Sequence, residues 1–529
     1  MKTWKWSKKT VGILVLSIML IVLAGCQALN GVDFNAMLKQ SLKVNSFEGK
    51  QSLEFKLLLK EDAMDTVSAE EAELLKLISH ITLSLNEVKT AQDGSMSVKG
   101  SLALGDKSVA FQAAMDANIA ELELEGAKKP IIIHLTNPDE EGAPQGADQE
   151  SLTETGKQLI DIVGGYAINN LPNPVHLSAD PGQADVNGTN VSGVNIHAEL
   201  TGKELWDWLK SYVDALMNDK EGLKAMITGL LETLESQSAA LEGSPAESIF
   251  GSIPDEDNRS EAVDEATTDI MDMLTELKDG FAQTEKENPE ELDRILSKGT
   301  YVKGDVFIDT KVDIRKSVIE AAIEPAAPAE SDDLSGEEDL DFGDTMFDTT
   351  PFTGIWMKMT TERWNINGDV QPVKPVTDQP VLDSMDMMNM QGYEILRQFD
   401  SNSVAYGLLR NQAHISKQTV MLNTFYSQSA PIITPSGITI IPLRETVESF
   451  GAKLTKENGM LRVYDGAANT TISLKAGSSN VIINGKTVKW NFPVTTVNGV
   501  TYASARGLAQ ALGAEIHWEN KTLVLVREP

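Results

Sequence analysis

The sequence predicts an α+β protein. A curved antiparallel sheet packed on helices is followed by a small C-terminal α+β domain made of two tandem strand-helix-strand repeats. Three observations carry this expectation. Segments between 49 and 135, and again between 301 and 366, alternate apolar and polar side chains with the two-residue period of a half-buried strand. Between 201 and 281 the apolar residues return at helical spacing. After residue 418, a set of landmarks recurs at one fixed offset.

Taken in order, Asp33 precedes Phe34, Met37, Leu38 and Leu42, which is a short amphipathic helix with Asp33 as its N-cap. Strands are expected over 49–60, 81–89, 95–104, 108–117 and 121–135, the last broken at Lys128-Lys129-Pro130. Turns such as Gln92-Asp93-Gly94 and Gly105-Asp106 make antiparallel neighbours of them. A helix over 68–78 interrupts the run, capped at Ser68 with Glu70 and Glu71 in its first turn. After Asn187-Gly188, a strand over 191–200 leads to a helix opened by Thr201, with Leu205, Leu209, Val213 and Leu216 on one face. Helical patterns continue through 223–234 and 262–281. Strands return over 301–309, 311–323 and 354–366, where pairs such as Val306 with Ile308 and Val312 with Ile314 mark one buried face.

Composition excludes whole classes of function. The 529 residues carry 45 Lys and Arg against 78 Asp and Glu, a formal charge of −33 that repels a phosphate backbone, so no nucleic-acid partner is expected. One cysteine rules out an intramolecular disulfide or a multi-thiolate zinc site. The six histidines show no spacing that would place two imidazoles on one metal, so neither metal nor cofactor is expected. No Gly-x-Ser-x-Gly elbow, phosphate loop or dinucleotide fingerprint occurs, and the chain reads as no enzyme.

At the start of the chain, Lys2, Lys5, Lys8 and Lys9 precede an apolar run from Val11 to Leu23, an export signal too short for a confident membrane span. The run closes on Leu23-Ala24-Gly25-Cys26, which resembles the lipobox of bacterial lipoproteins. That resemblance implies diacylglyceryl transfer to the sulfur of Cys26, cleavage between Gly25 and Cys26, and acyl chains such as palmitate holding the mature protein on the outer face of the cell membrane. A plain secretory signal with an incidental cysteine is the alternative reading.

At the other end, Pro431, Gly437, Arg444, Gly451, Ala452, Leu454 and Leu461 recur as Pro493, Gly499, Arg506, Gly513, Ala514, Ile516 and Leu523, an offset of 62 residues each time. Each copy holds strands around a helix whose apolar stripe ends at a glycine, Gly451 or Gly513. Pro442-Leu443-Arg444-Glu445 with Gly451-Ala452, and Ser504-Ala505-Arg506 with Gly513-Ala514-Glu515-Ile516-His517-Trp518, resemble the copper amine oxidase N-terminal, or stalk, domain family over about 415–529. The second copy departs at Ala503-Ser504-Ala505, where Val-Pro-Leu is usual, and the first has Lys456 in place of the usual Trp. In that family the stalk lies apart from the catalytic domain, so the resemblance implies neither copper nor amine oxidation. Arg444, Arg506 and Trp518 are the candidate binding residues, the two arginines having the alternative role of buttressing the helix starts.

The middle region resembles LolA/LppX-like lipoproteins in element order, in its Asn187-Gly188 strand pair and in the junction Leu200-Thr201-Gly202-Lys203-Glu204-Leu205. That resemblance implies a half-barrel cupping helices, with either an apolar hollow or a filled core between them. Ten acidic residues between Glu324 and Asp348, with no Lys or Arg, are expected to form a disordered loop. Met385, Met387, Met388 and Met390 are read as core packing, not as thioether ligands.

The expected organisation is therefore a signal peptide at 1–25 and a lipidated tether at 26–32. A LolA/LppX-like sheet-and-helix domain follows at 33–379 with its acidic loop at 324–350, then a helical connector at 380–414 and the stalk domain at 415–529. The expected function is non-catalytic: an envelope-associated binding or scaffold lipoprotein that contacts wall polymer or a surface protein through its stalk. The alternative is a carrier or sensor of lipid or another apolar ligand in the half-barrel.

Overall fold

The computed structural model describes residues 33–60, 65, 67–135, 149–236, 258–327, 351–376, 378–423 and 430–529. The expected signal peptide and tether, and the acidic loop beyond residue 327, lie outside the described residues. The chain divides into two compact units, one formed up to Leu124 and over Pro130–Val381, the other by Leu382–Pro529 with Glu125–Lys129.

The first unit opens with α1 (Phe34–Leu42), whose N-cap Asp33 accepts a 3.0 Å bond from the Ala36 N–H. Then come β1 (Phe47–Leu59), α2 (Ala69–Ile78), β2 (His80–Thr90), β3 (Met96–Leu104), β4 (Lys107–Met115), β5 (Ile119–Leu124) and β6 (Ile131–His134). Ser68 and Glu71 close a reciprocal capping box on α2, satisfying two backbone donors that a helix start leaves open. The expected break at Lys128-Lys129-Pro130 separates β5 from β6. There follow α3 (Gln149–Asn169), β7 (His176–Val186), β8 (Thr189–Thr201), α4 (Gly202–Asn218), α5 (Lys220–Ser236), α6 (Arg259–Glu287) and α7 (Pro289–Ile295). The strands β9 (Tyr301–Asp309), β10 (Ile314–Ile323) and β11 (Phe352–Trp364) complete the unit.

These strands form one antiparallel sheet in the order β6-β5-β4-β3-β2-β1-β11-β10-β9-β8-β7. Two meanders meet where β1 pairs with β11, from Glu48 opposite Trp364 to Leu58 opposite Gly354. Sequence reading missed α3 and β7. Pro181 and Gly182 sit inside β7 and disguise it, yet both are tolerated because β7 is the sheet edge and owes no hydrogen bonds on its outer side. Asn187 and Gly188, both at positive φ, turn β7 into β8.

The core lies on one face of the β7–β10 half. Phe34, Met37 and Leu38 of α1, Ile168 of α3, and Leu205 and Trp208 of α4 pack there against Ala179, Ile196, Val302, Ile308, Ala321 and Ile323. Behind them, Trp206 meets Phe281 edge-on at 4.9 Å and donates to Glu285 at 2.8 Å, fixing α4 against α6. Leu223, Ile227 and Val263 join α5 to α6.

In the second unit, residues expected as a connector fold into short helices at Ser384–Met388, Gly392–Leu396 and Val404–Gly407. The expected core packing of the methionines is corrected here: Met385 is 52% and Met388 81% exposed. A helix of five residues is too short to present the stripe that their spacing suggested. Beyond it, three sheets enclose a single core. Their strands run Gln418–Asn423 with Thr522–Arg527 and Glu515–Glu519, then Thr439–Pro442 with Val500–Ser504, and a meander from Lys453–Glu457 to Lys486–Lys489. The helices Leu443–Ser449 and Ala505–Ala511 send Leu443, Val447, Phe450, Leu508, Ala509 and Leu512 into that core. Gly451 and Gly513 follow them with φ of 75° and 69°.

Candidate functional site

The sequence-predicted site residues are placed separately. Gly25 and Cys26 lie outside the described residues. Arg444 is exposed and pairs with Glu448 one helical turn on, so it braces its own helix through a carboxylate and not through backbone carbonyls. Arg506 is exposed. Trp518 stands opposite Leu523, which in turn faces Leu422; the two leucines are buried while Trp518, on the sheet edge, is 42% exposed. His517 beside it contacts Glu519 at 2.8 Å. What the second unit buries is a different pair. Arg527 grips Asp465 with both terminal nitrogens, each side chain 1% exposed, and also donates to the Phe450 and Leu512 carbonyls at 3.1 Å. The two residues are separated by 62 positions, the offset of the sequence repeat.

In the first unit, the face of the sheet turned away from the helices carries the most perturbed carboxylate. Glu320 on β10 accepts from the Tyr301 hydroxyl at 2.5 Å, Lys303 Nζ at 2.9 Å and Trp356 Nε1 at 3.2 Å. Burial pushes its pKa up, but these three donors outweigh that and hold it at about 2. A carboxylate so satisfied takes up no proton near neutrality and is no general base. It ties β9, β10 and β11 together, while Lys56 of β1 lies 4.3 Å from the Trp356 ring centre.

The opposite face behaves differently in its two halves. Along β7–β10 it is covered by α1, α3 and α4. An apolar notch remains there, lined by Phe34, Met37, Leu177, Ile196, Val302 and Val306, with a cavity volume of about 60 Å³. That is room for a few waters and not for a long acyl chain.

From β11 to β4 the same face stays apolar without being buried. One row across the strands reads Met359, Leu53, Leu83, Leu102 and Val109, and the next reads Met357, Phe55, Ile81 and Leu104, each residue opposite the next in register. Leu53 is 36% and Leu102 39% exposed, and the rest are only partly buried. Ile319 and Ala321 continue these rows onto β10, where both are buried. An apolar patch of this extent is costly to leave in water. Sequence reading identified the strands but gave no sign of which half the helices would cover.

Among the described residues, no group of three or more His, Cys, Asp or Glu is gathered as a metal site, and no helix is long and apolar enough to cross a membrane. Compared with known families, residues 419–526 match the model described as copper amine oxidase N-terminal domain, in agreement with the resemblance read from the C-terminal repeats. The match rests on a non-catalytic part of those oxidases. No curated protein matches the chain.

Proposed function

We propose that this chain is a lipid-anchored, non-catalytic binding protein of the outer face of a cell membrane, whose sheet takes up an apolar ligand against its uncovered half. The carrying observation is the pair of apolar rows centred on Leu53, Leu83 and Leu102, left partly in water where the other half of the same face is sealed by helices. Leu83 sits in the middle of the patch, so Leu83→Glu places a charge there without removing any core contact of the helical half. Lipid extraction followed by mass spectrometry of the purified soluble part is expected to find a bound apolar molecule that the variant lacks. A protein that is empty in both forms removes this reading.

The anchor rests on the sequence around Cys26. Two acyl chains suffice for stable attachment where one does not. Cys26→Ser is expected to release the protein into the medium, and continued membrane retention would contradict the assignment.

A second reading, scaffolding through the C-terminal domain, is favoured by the exposure of Trp518 on an edge strand. We take this domain to be two tandem units. The helices at Leu443–Ser449 and Ala505–Ala511 begin 62 residues apart, and Ile441 pairs with its counterpart Ala503. An aromatic ring at an edge offers a stacking surface to a wall polymer or a partner protein. Retention of the protein on isolated cell wall, lost in Trp518→Ala, supports this; equal retention of both forms argues against it.

A further inference from the structure

Along β11, the residues facing the helix side of the sheet are Ile355, Met357, Met359, Thr361 and Arg363, because side chains alternate strictly through its unbroken register from Gly354 to Trp364 with β1. Three apolar residues are thus followed by Thr361 and then by a guanidinium. Its Nε is shut off from solvent and has no hydrogen-bond partner. The Phe47 ring lies 5.0 Å from the guanidinium carbon, and among the described residues no carboxylate or carbonyl pairs with the group. Burial alone lowers its pKa. Other wholly or partly buried arginines each hold a carboxylate, Arg294 with Glu291, Arg315 with Asp309 and Arg527 with Asp465, although the Nε of Arg315 also lacks a partner. A half-buried cation without a counter-charge carries a desolvation cost, which an arriving anion would relieve.

We infer that Arg363 receives the anionic headgroup of an acyl lipid whose chain lies along the apolar rows of β11, β1, β2 and β3. The dimensions agree, since the six strand steps from Arg363 to Met357 span about 20 Å, close to the length of a long acyl chain. The ligand class is thereby narrowed from any apolar molecule to an amphiphile with a carboxylate or phosphate at one end, which a planar guanidinium binds through two parallel hydrogen bonds. This rests on the apolar-ligand reading above and adds the headgroup to it.

The test is calorimetric titration of the purified chain with oleate and with uncharged monoolein. The wild type is expected to bind oleate at least about tenfold more tightly. Arg363→Gln should bring the two affinities together by weakening oleate alone, and Arg363→Lys should restore part of the preference. If both lipids bind and Arg363→Gln leaves the oleate affinity unchanged, the headgroup inference is overturned while the apolar-ligand reading stands. If neither lipid binds to the wild type, both fall together. Arg363→Met supplies a readout without ligand. Removing an unpaired, half-buried charge should raise the melting temperature of the lipid-free protein, and a lowered one would show that Arg363 serves the fold and not a ligand.

Discussion

Replacing Asp465 with alanine should be the most damaging single change of charge in the C-terminal unit. Arg527 and Asp465 are each 1% exposed. The guanidinium spends its remaining donors on the Gln418 side chain at 2.7 Å and on the Phe450 and Leu512 carbonyls, and lies 4.5 Å from the Phe450 ring. Asp465→Ala leaves those contacts in place but strips a buried cation of its counter-charge, a loss of about 3–5 kcal/mol. For a unit of this size that corresponds to a fall of roughly 10–15 °C in melting temperature. Removing both charges together, as Arg527→Met with Asp465→Leu, should cost less than Asp465→Ala alone. The Phe450 and Leu512 carbonyls, the Gln418 side-chain oxygen and the Ala467 N–H then lose a partner, at roughly 1 kcal/mol each, but no unpaired charge is left buried. The measurement is scanning calorimetry of the soluble chain, with hydrogen exchange over 453–474 assigning the affected transition to this unit. An Asp465→Ala variant within 1 kcal/mol of wild type, or a double variant worse than the single one, would refute the reasoning.

Other consequences can be measured in the same way. Because Glu320 titrates at about 2 in the fold against an ordinary 4.5, its contribution is fully present above pH 4.5 and is lost as the pH falls from there to about 2. Glu320→Gln should therefore lower stability at pH 7 by roughly 1.5–3 kcal/mol and flatten the acid limb, which urea titrations at pH 7 and pH 3 would reveal. Ser68→Ala removes the capping box of α2 and should destabilise it by about 1 kcal/mol, seen as faster amide exchange over 69–73 without loss of the sheet. Leu223→Ala, at a fully buried position between α5 and α6, should cost about 2–5 kcal/mol by denaturant melt.

The features legible in the sequence were those fixed by neighbours along the chain. Asp33 and Ser68 announce their helices because a cap is a bond between residues three apart. The 62-residue repeat is visible for a similar reason: each copy carries its own apolar stripe and closing glycine. The alternation along β1, β2, β3 and β11 likewise told which side chains share a face. It even placed Arg363 with Ile355, Met357 and Met359, a signal that was present but unread. A positive charge among apolar residues two apart looks like an ordinary surface position until its Nε is seen to be shut off from solvent without a partner.

Only the tertiary structure could decide which half of the sheet the helices cover. Periodicity states that a face is apolar, and it cannot state what packs against it. The same holds for β7, whose Pro181 and Gly182 are acceptable only at an edge, and for the union of Asp465 with Arg527. Both are properties of pairing between distant segments, where hydrogen-bond partners and counter-charges are supplied by residues that local pattern cannot see. The sequence thus determined the elements and their faces, while the fold determined which of those faces the helices leave uncovered.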